Sequence, residues 1–506
     1  MLTERASGIL LHPTSLPGQL GAGDFGADAY RFVDWLVSAG QTYWQMLPLG
    51  EIGPGNSPYM SSSAFAGNIL LIDLEELAGL GWLSDEDMKP HPEFRPDTVN
   101  FELLKPFRME RLRRAARKFF TDSANADQSA YAEFCNLESE WLDDYALFMT
   151  LKERQKDGEW SRWSADLATR NPQALRDVAE SGAEEMDFWK FCQWCFSRQW
   201  SHLKQYANAK GVRIIGDLPI FVAYQSADVW AHRDLFELDE NGHPIVVAGV
   251  PPDYFSDTGQ LWGNPLYRWD AHKKSGFAWW IARLRHALKL FDLVRIDHFR
   301  GFAGYWEIPA GSTTALHGRW APGPGAKFFE ALQSALGELP IIAEDLGVIT
   351  PDVIELREKF NLPGMRVLQF AFAEDESHYF LPDHYVPNTV AYLGTHDNDT
   401  SIGWWESATQ GEKTFAKKYL GSDGHQIHWD MIRVISKSES NLVIVPMQDV
   451  LGLSGDHRMN FPGKKEGNWL WRYSWDQVRP ELTQELARIS AETGRNLPIS
   501  KMSAVI

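Results

Sequence analysis

The chain is poor in cysteine. Only Cys135, Cys192 and Cys195 occur in 506 residues, and so sparse and odd a set excludes a disulfide framework. Cys192 and Cys195 form a CxxC within FWKFCQWCFSRQW. No second pair and no neighbouring histidines complete a zinc site, so the two read as apolar residues on one helix face. Long apolar runs are missing too. No segment approaches the ~18 residues of a membrane helix, and MLTERASGILLHP lacks the apolar core of a signal peptide. A cytoplasmic location is expected. Basic charge is in deficit, with 49 Lys and Arg against 68 Asp and Glu and a net charge of -19. That argues against nucleic acid and against a membrane surface as partner. No phosphate-binding GxxxxGK stretch is present. GAGDFG (21–26) matches GxGxxG, but the preceding strand should end well before it, so the tight dinucleotide turn is lacking.

Aromatic residues, by contrast, are abundant at 13%, with 22 Trp. Some fall in Gly/Pro-rich stretches, where a flat face with polar edges suits a sugar ring. Eight short apolar runs recur: 7–13, 42–50, 211–217, 291–297, 339–345, 365–372, 389–395 and 441–449. Helical patterns such as ADAYRFVDWLVSAG (27–40) and AKFFEALQSALG (326–337) lie between several of them. Strands alternating with helices imply a parallel sheet, and eight of them imply a (β/α)8 TIM barrel. The reading is one catalytic barrel over 1–506. A helical subdomain is inserted at about 80–210, between the second and third strands. A second insertion, 218–290, carries the irregular loop 248–267. The basic face of FELLKPFRMERLRRAARKFF is read as solvated surface.

Three acidic residues end three of these runs: Asp297 in FDLVRIDHFRG, Glu344 in LPIIAEDLG and Asp397 in VAYLGTHDNDT. An unpaired charge is costly inside a strand core, but at the carboxyl end of a barrel strand it can face an active-site mouth. Arg295 lies two residues before Asp297, hence on the same strand face. A guanidinium there favours a carboxylate that must stay ionised. Periodicity leaves open whether Glu344 or Asp345 faces the mouth. A helix cap could explain one acid in THDND, but not the recurrence at three strand ends. Two carboxyl groups in unlike environments are what glycosidic bond cleavage uses, one ionised and one holding a proton.

Ten stretches now point one way: LLHPTSLPG, SPYMSSSAFAGN, GDLPIFVA, GVPPDYFSDTGQLWGNPLY, RIDHFRGF, AEDLG, LPGMRVLQFAF, YLGTHDNDT, RMNFPG and NWLWR. Over residues 10–472 the chain resembles the 4-alpha-glucanotransferases of glycoside hydrolase family 77 (amylomaltases or disproportionating enzymes), relatives of the alpha-amylases. The resemblance implies Asp297 as nucleophile, Glu344 as general acid/base and Asp397 as stabiliser of the transition state. It implies sugar contacts from Tyr59, Asp217, Arg295, His298, His396 and Asn460, and an acceptor-side cover carrying Tyr254, Phe255 and Trp262. It implies no cofactor and no metal. The expected partners are maltooligosaccharides and other α-1,4-glucans, with glucose as product or acceptor, in maltose, starch or glycogen metabolism. The implied reaction is disproportionation by retaining double displacement, which requires carboxyl groups about 5–5.5 Å apart. One stretch departs from the family: FAF is followed by AEDES, where Glu374 or Asp375 could supply an expected acidic pair. A plain α-glucan hydrolase is the nearest alternative. A metal-dependent lyase and a non-catalytic glucan-binding module are more distant ones.

Overall fold

The computed structural model describes residues 2–122, 125–155, 159–252, 256–373 and 377–496. Among the described residues twelve strands form two sheets. In chain order they are β1 (Ala6–Leu10), β2 (Tyr43–Gln45), β3 (Arg213–Pro219), β4 (Val246–Val250), β5 (Gln260–Pro265) and β6 (Leu293–Asp297). Then follow β7 (Gly304–Pro309), β8 (Arg319–Pro322), β9 (Ile341–Ala343), β10 (Gly364–Val367), β11 (Thr389–Tyr392) and β12 (Leu442–Pro446).

Eight strands pair in parallel in the order β10-β11-β12-β1-β2-β3-β6-β9. Each coincides with one of the eight apolar runs. Their side chains are almost wholly buried, as expected where helices cover the outside of a parallel barrel. The ring closes between β9 and β10 without a regular ladder. There Ala343 N donates to Pro363 O at 2.9 Å, and Met365 N donates to the Asp345 carboxylate at 2.7 Å. Asp345 is buried and faces Arg357 (3.3 Å) and Arg366 (3.8 Å). A side chain therefore supplies an acceptor where the strands part. Gly364 is fitted to this seam, since a Cβ there would fall 2.4 Å from an Asp345 oxygen.

The run 365–372 is not all strand. Extended backbone stops at Val367, and Leu368–Phe372 turns into a 3-10 helix with Leu368, Ala371 and Phe372 buried. An unbroken apolar run cannot mark that change, because both conformations bury the same side chains.

Between β2 and β3 the chain is mainly helical, including Phe101–Asp122, Ser139–Arg154, Pro172–Ser181 and Ala183–Ala209. Its apolar residues join the same continuous core as the barrel. Cys192 and Cys195 are both fully buried on Ala183–Ala209, and burial pushes both thiols up from their ordinary values. The first of these helices does not simply present its arginines to water. Arg108 is buried, donating to Asp24 and to Ile72 O at 2.7 Å each, while Arg113 and Arg114 pair with Glu153, Asp87 and Glu110.

The loop expected at 248–267 is largely a hairpin. β4 and β5 are antiparallel, with a register shift between Val247 and Gly249, and β7 and β8 extend them into a sheet of order β5-β4-β7-β8. The shift breaks the alternation by which a strand is recognised. A Cβ on Gly249 would meet Gln260 O at 2.2 Å, so the glycine that suggests a loop permits close pairing. Among the described residues no helix is long and apolar enough to cross a membrane.

Candidate active site

Parallel register does most of the placement. Asp217 on β3 pairs with Arg295 on β6, and Pro219 with Asp297. β6 and β9 align Ile296 with Ala343. One residue further along, Asp297 stands beside Glu344, whose amide still donates to Ile296 O at 3.1 Å. Neighbouring strands lie about 4.8 Å apart, so the two carboxyl groups leave adjacent strand ends at one level.

Arg295 connects the group. It donates from Nη1 to both oxygens of Asp217, at 2.8 and 2.7 Å, and from Nη2 to Asp297 Oδ1 at 2.9 Å. Its side chain is 5% exposed and that of Asp217 is 0%, but that of Asp297 is 30%. The Arg295–Asp217 pair is thus the buried support, and Asp297 is the member open to a ligand. Tyr59 donates to Asp217 Oδ2 at 2.6 Å. Burial raises the Asp217 carboxyl, while Arg295 and the Tyr59 hydroxyl counter it.

Glu344, not Asp345, faces the mouth, because Asp345 is committed to the seam. The Glu344 oxygens accept from His298 N (2.8 Å) and Leu346 N (2.9 Å). Burial is the largest influence on this carboxyl, and with the charge of Asp297 it overrides Arg295 and the two amides. Its pKa rises to about 7. His298 reaches its position through a left-handed backbone, φ 55° and ψ 47°, a conformation that costs a non-glycine residue about 1–2 kcal/mol. That turn aims its amide at Glu344. Burial lowers its imidazole to about 4, and its buried Nε2 has no hydrogen-bond partner among the described residues. Trp262 on β5 packs edge-on against the His298 ring, centroids 4.9 Å apart.

Asp397 approaches from the turn after β11. It accepts from Asn460 Nδ2 at 2.6 Å and lies 3.4 Å from His396 Nε2. Its side chain is 46% exposed. His396 stacks on Tyr59, ring centroids 5.3 Å apart and 12° from parallel. Tyr59 therefore links the Asp217–Arg295–Asp297 chain to the Asp397 side. Ten of the twelve expected site residues belong to this connected arrangement. Tyr254 and Phe255, like Glu374 and Asp375, lie outside the described residues.

Other participants were not singled out from sequence. Trp469 has φ 67° and packs on both Tyr59 and His396. Arg458 donates to Asp397 O at 2.8 Å and lies 3.9 Å from Asp399. His12, after β1, is buried and lowered to about 4 chiefly by burial. All three fall in stretches that carry the family resemblance, and that was their available signal.

A closed parallel barrel with acidic groups gathered at its strand ends defines a barrel enzyme site. The 4-alpha-glucanotransferase family, glycoside hydrolase family 77, matches residues 11–478, and the chain belongs to it. It is 50% identical to the 4-alpha-glucanotransferase of Thermus thermophilus over 97% of this chain and 99% of the relative. It is 48% identical to that of Synechocystis over 98% and 99%. The amylomaltase of Streptococcus agalactiae, solved in complex with acarbose, superposes with a TM-score of 0.94 at 39% identity, covering 98% of this chain and 100% of that one.

Proposed function

We propose that this chain transfers α-1,4-glucan segments between maltodextrins by double displacement at Asp297. The carrying observation is the unlike setting of two neighbouring carboxyl groups. Asp297 is partly open and paired with Arg295, while Glu344 is raised to about 7. A group balanced near neutrality can give and take a proton in turn. In the first step the Glu344 carboxyl donates its proton to the glycosidic oxygen. The bond from that oxygen to the anomeric carbon breaks, and an Asp297 oxygen bonds to the carbon from the other face. The cleaved sugar leaves with its new hydroxyl. In the second step the Glu344 carboxylate takes the proton of an acceptor 4-hydroxyl. The acceptor oxygen bonds to the anomeric carbon, and the Asp297 ester breaks. One α-1,4 bond replaces another, and no redox partner is needed.

Asp397 with Asn460 and His396 grips sugar hydroxyls in this scheme. Asp217 and Tyr59 hold Arg295 in place. Neutral His298 offers its ring to the sugar, under Trp262. Transfer in place of hydrolysis requires an oriented acceptor, whose effective concentration then exceeds that of water. The names of the relatives favour transfer over the hydrolase.

The test is a timed incubation with maltotriose, with products separated by length. Glucose with a ladder of longer maltodextrins is expected. Glucose and maltose alone would establish the hydrolase. Asp297→Asn should lower the rate by at least about a thousandfold.

A further inference from the structure

A cavity of about 450 Å³ opens on the outer wall of the barrel. It lies between the helix Ala278–Leu290, which leads into β6, and the start of the helix Ser139–Arg154. None of the catalytic candidates lines it. Its size is within the range of small-molecule sites, roughly 300–1,000 Å³.

Its walls are aromatic. Phe65 and Trp141 are nearly parallel, 13° apart with centroids at 6.1 Å. His286 packs edge-on to both, at 5.6 and 5.4 Å, and Trp279 meets Phe65 edge-on at 6.2 Å. The rings are held from behind. Glu138 accepts from Trp141 Nε1 at 2.7 Å and from Lys289 at 2.9 Å, and lies 3.7 Å from His286. Polar groups remain unspent. His232, Asp234 and Arg285 line the cavity and make no side-chain hydrogen bond or ion pair among the described residues.

The charges select the ligand class. Five carboxylates line the cavity (Glu138, Glu140, Asp144, Asp228 and Asp234) against two fixed cations, Arg285 and Lys289. With Glu138 paired to Lys289 and Asp144 to Arg170, Glu140 and Asp234 still outnumber Arg285, so a phosphate or another anion gains no net attraction. Aromatic faces with scattered donors and acceptors suit a neutral polyhydroxylated ring, which offers C–H faces to the rings and hydroxyls to the edges.

We propose that this cavity is a second carbohydrate site, which takes one or two α-1,4-linked glucose units of a longer glucan. The choice of glucan rests on the transferase reading. The site also adjoins the catalytic mouth through the chain. Ser63 and Phe65 follow closely on Tyr59, and the Ala64 amide between them is fixed by Asp228 at 2.7 Å. A glucan held here steadies the segment that presents Tyr59 and raises the local concentration of polymeric substrate.

The experiment uses the full chain carrying Asp297→Asn, with maltoheptaose as probe in a calorimetric titration. Two sites are expected. Trp141→Ala and, separately, Ala282→Trp, which fills the cavity, should each weaken one of them by roughly fivefold or more. With Asp297 restored, either variant should leave maltotriose turnover unchanged and raise the KM for amylose severalfold. A single binding site, or two that neither variant alters, would overturn the proposal. Loss of maltotriose turnover in the folded Ala282→Trp protein would overturn it as well, because the cavity would then serve the catalytic centre itself. Failure of the unmodified enzyme to rearrange maltotriose would count against the transferase reading alone, since the number of maltoheptaose sites is read without turnover.

Discussion

Glu344 carries a stability cost that matches its proposed use. Its pKa is about 7 against an ordinary value of 4.5, so the folded chain holds this proton more tightly than the unfolded one. A group of this sign penalises folding progressively as pH rises from about 4.5 to 7, by up to ~3 kcal/mol. Glu344→Gln removes the titration. Its amide group also faces one of the two backbone N–H donors now bound by the carboxylate, a fixed loss of about 1–3 kcal/mol. The stability of the Gln variant relative to the parent should therefore rise with pH across that window, whatever its starting value. Urea unfolding at pH 4.5 and pH 8 measures this, and a pH-independent difference would contradict the raised carboxyl. At the same scale, Trp262 shields His298 at the rim. Trp262→Ala should raise the ratio of free glucose released to longer products formed from maltotriose. An unchanged ratio would remove Trp262 from acceptor binding.

Among the elements, the β9–β10 seam is the point where one residue does a strand's work. Asp345→Ala leaves the Met365 amide without its acceptor and deprives the buried Arg366 of its counter-charge, while Arg357 keeps Glu358 at 3.4 Å. Uncompensated buried charge costs about 3–5 kcal/mol, and denaturant melts should show a loss of that order. Asp345→Asn keeps an acceptor for Met365 and should lose less; equal losses would show that the hydrogen bond contributes nothing. The barrel strands were legible because each is a continuous buried run ended by a polar or Gly/Pro stretch. β4 and β5 were not, because a register shift interrupts their alternation and Pro and Gly imitate a loop. β7 and β8 are short and half-exposed, and nothing in GYWEIP or RWAP separates strand from turn. The choice between Glu344 and Asp345 was illegible for a different reason. Both follow the same strand, and only the gap to β10 decides which turns outward.

Over the whole molecule, acidic residues at strand ends announced the centre, and the register then explained its alignment. Asp217, Arg295, Asp297 and Glu344 are positioned by ladders that cannot slip by one residue without turning every core side chain to the wrong face. Trp469 and Arg458 come from far along the chain, and no local pattern ties them to Tyr59 or Asp397. Their role depends on how the chain returns over the barrel mouth. The unlike rigidity of the two sides follows from the same construction. The Glu344 amide is bound within the barrel, to Ile296 O, whereas the Asp397 amide reaches only the Thr395 hydroxyl at 3.2 Å in an exposed turn. Deuterium from solvent should enter Asp397 through local opening and Glu344 only when the barrel itself opens. A bound glucan should slow the first exchange far more than the second. The bond-making pair would then be permanently assembled, and the substrate would complete the site by ordering the side that grips it.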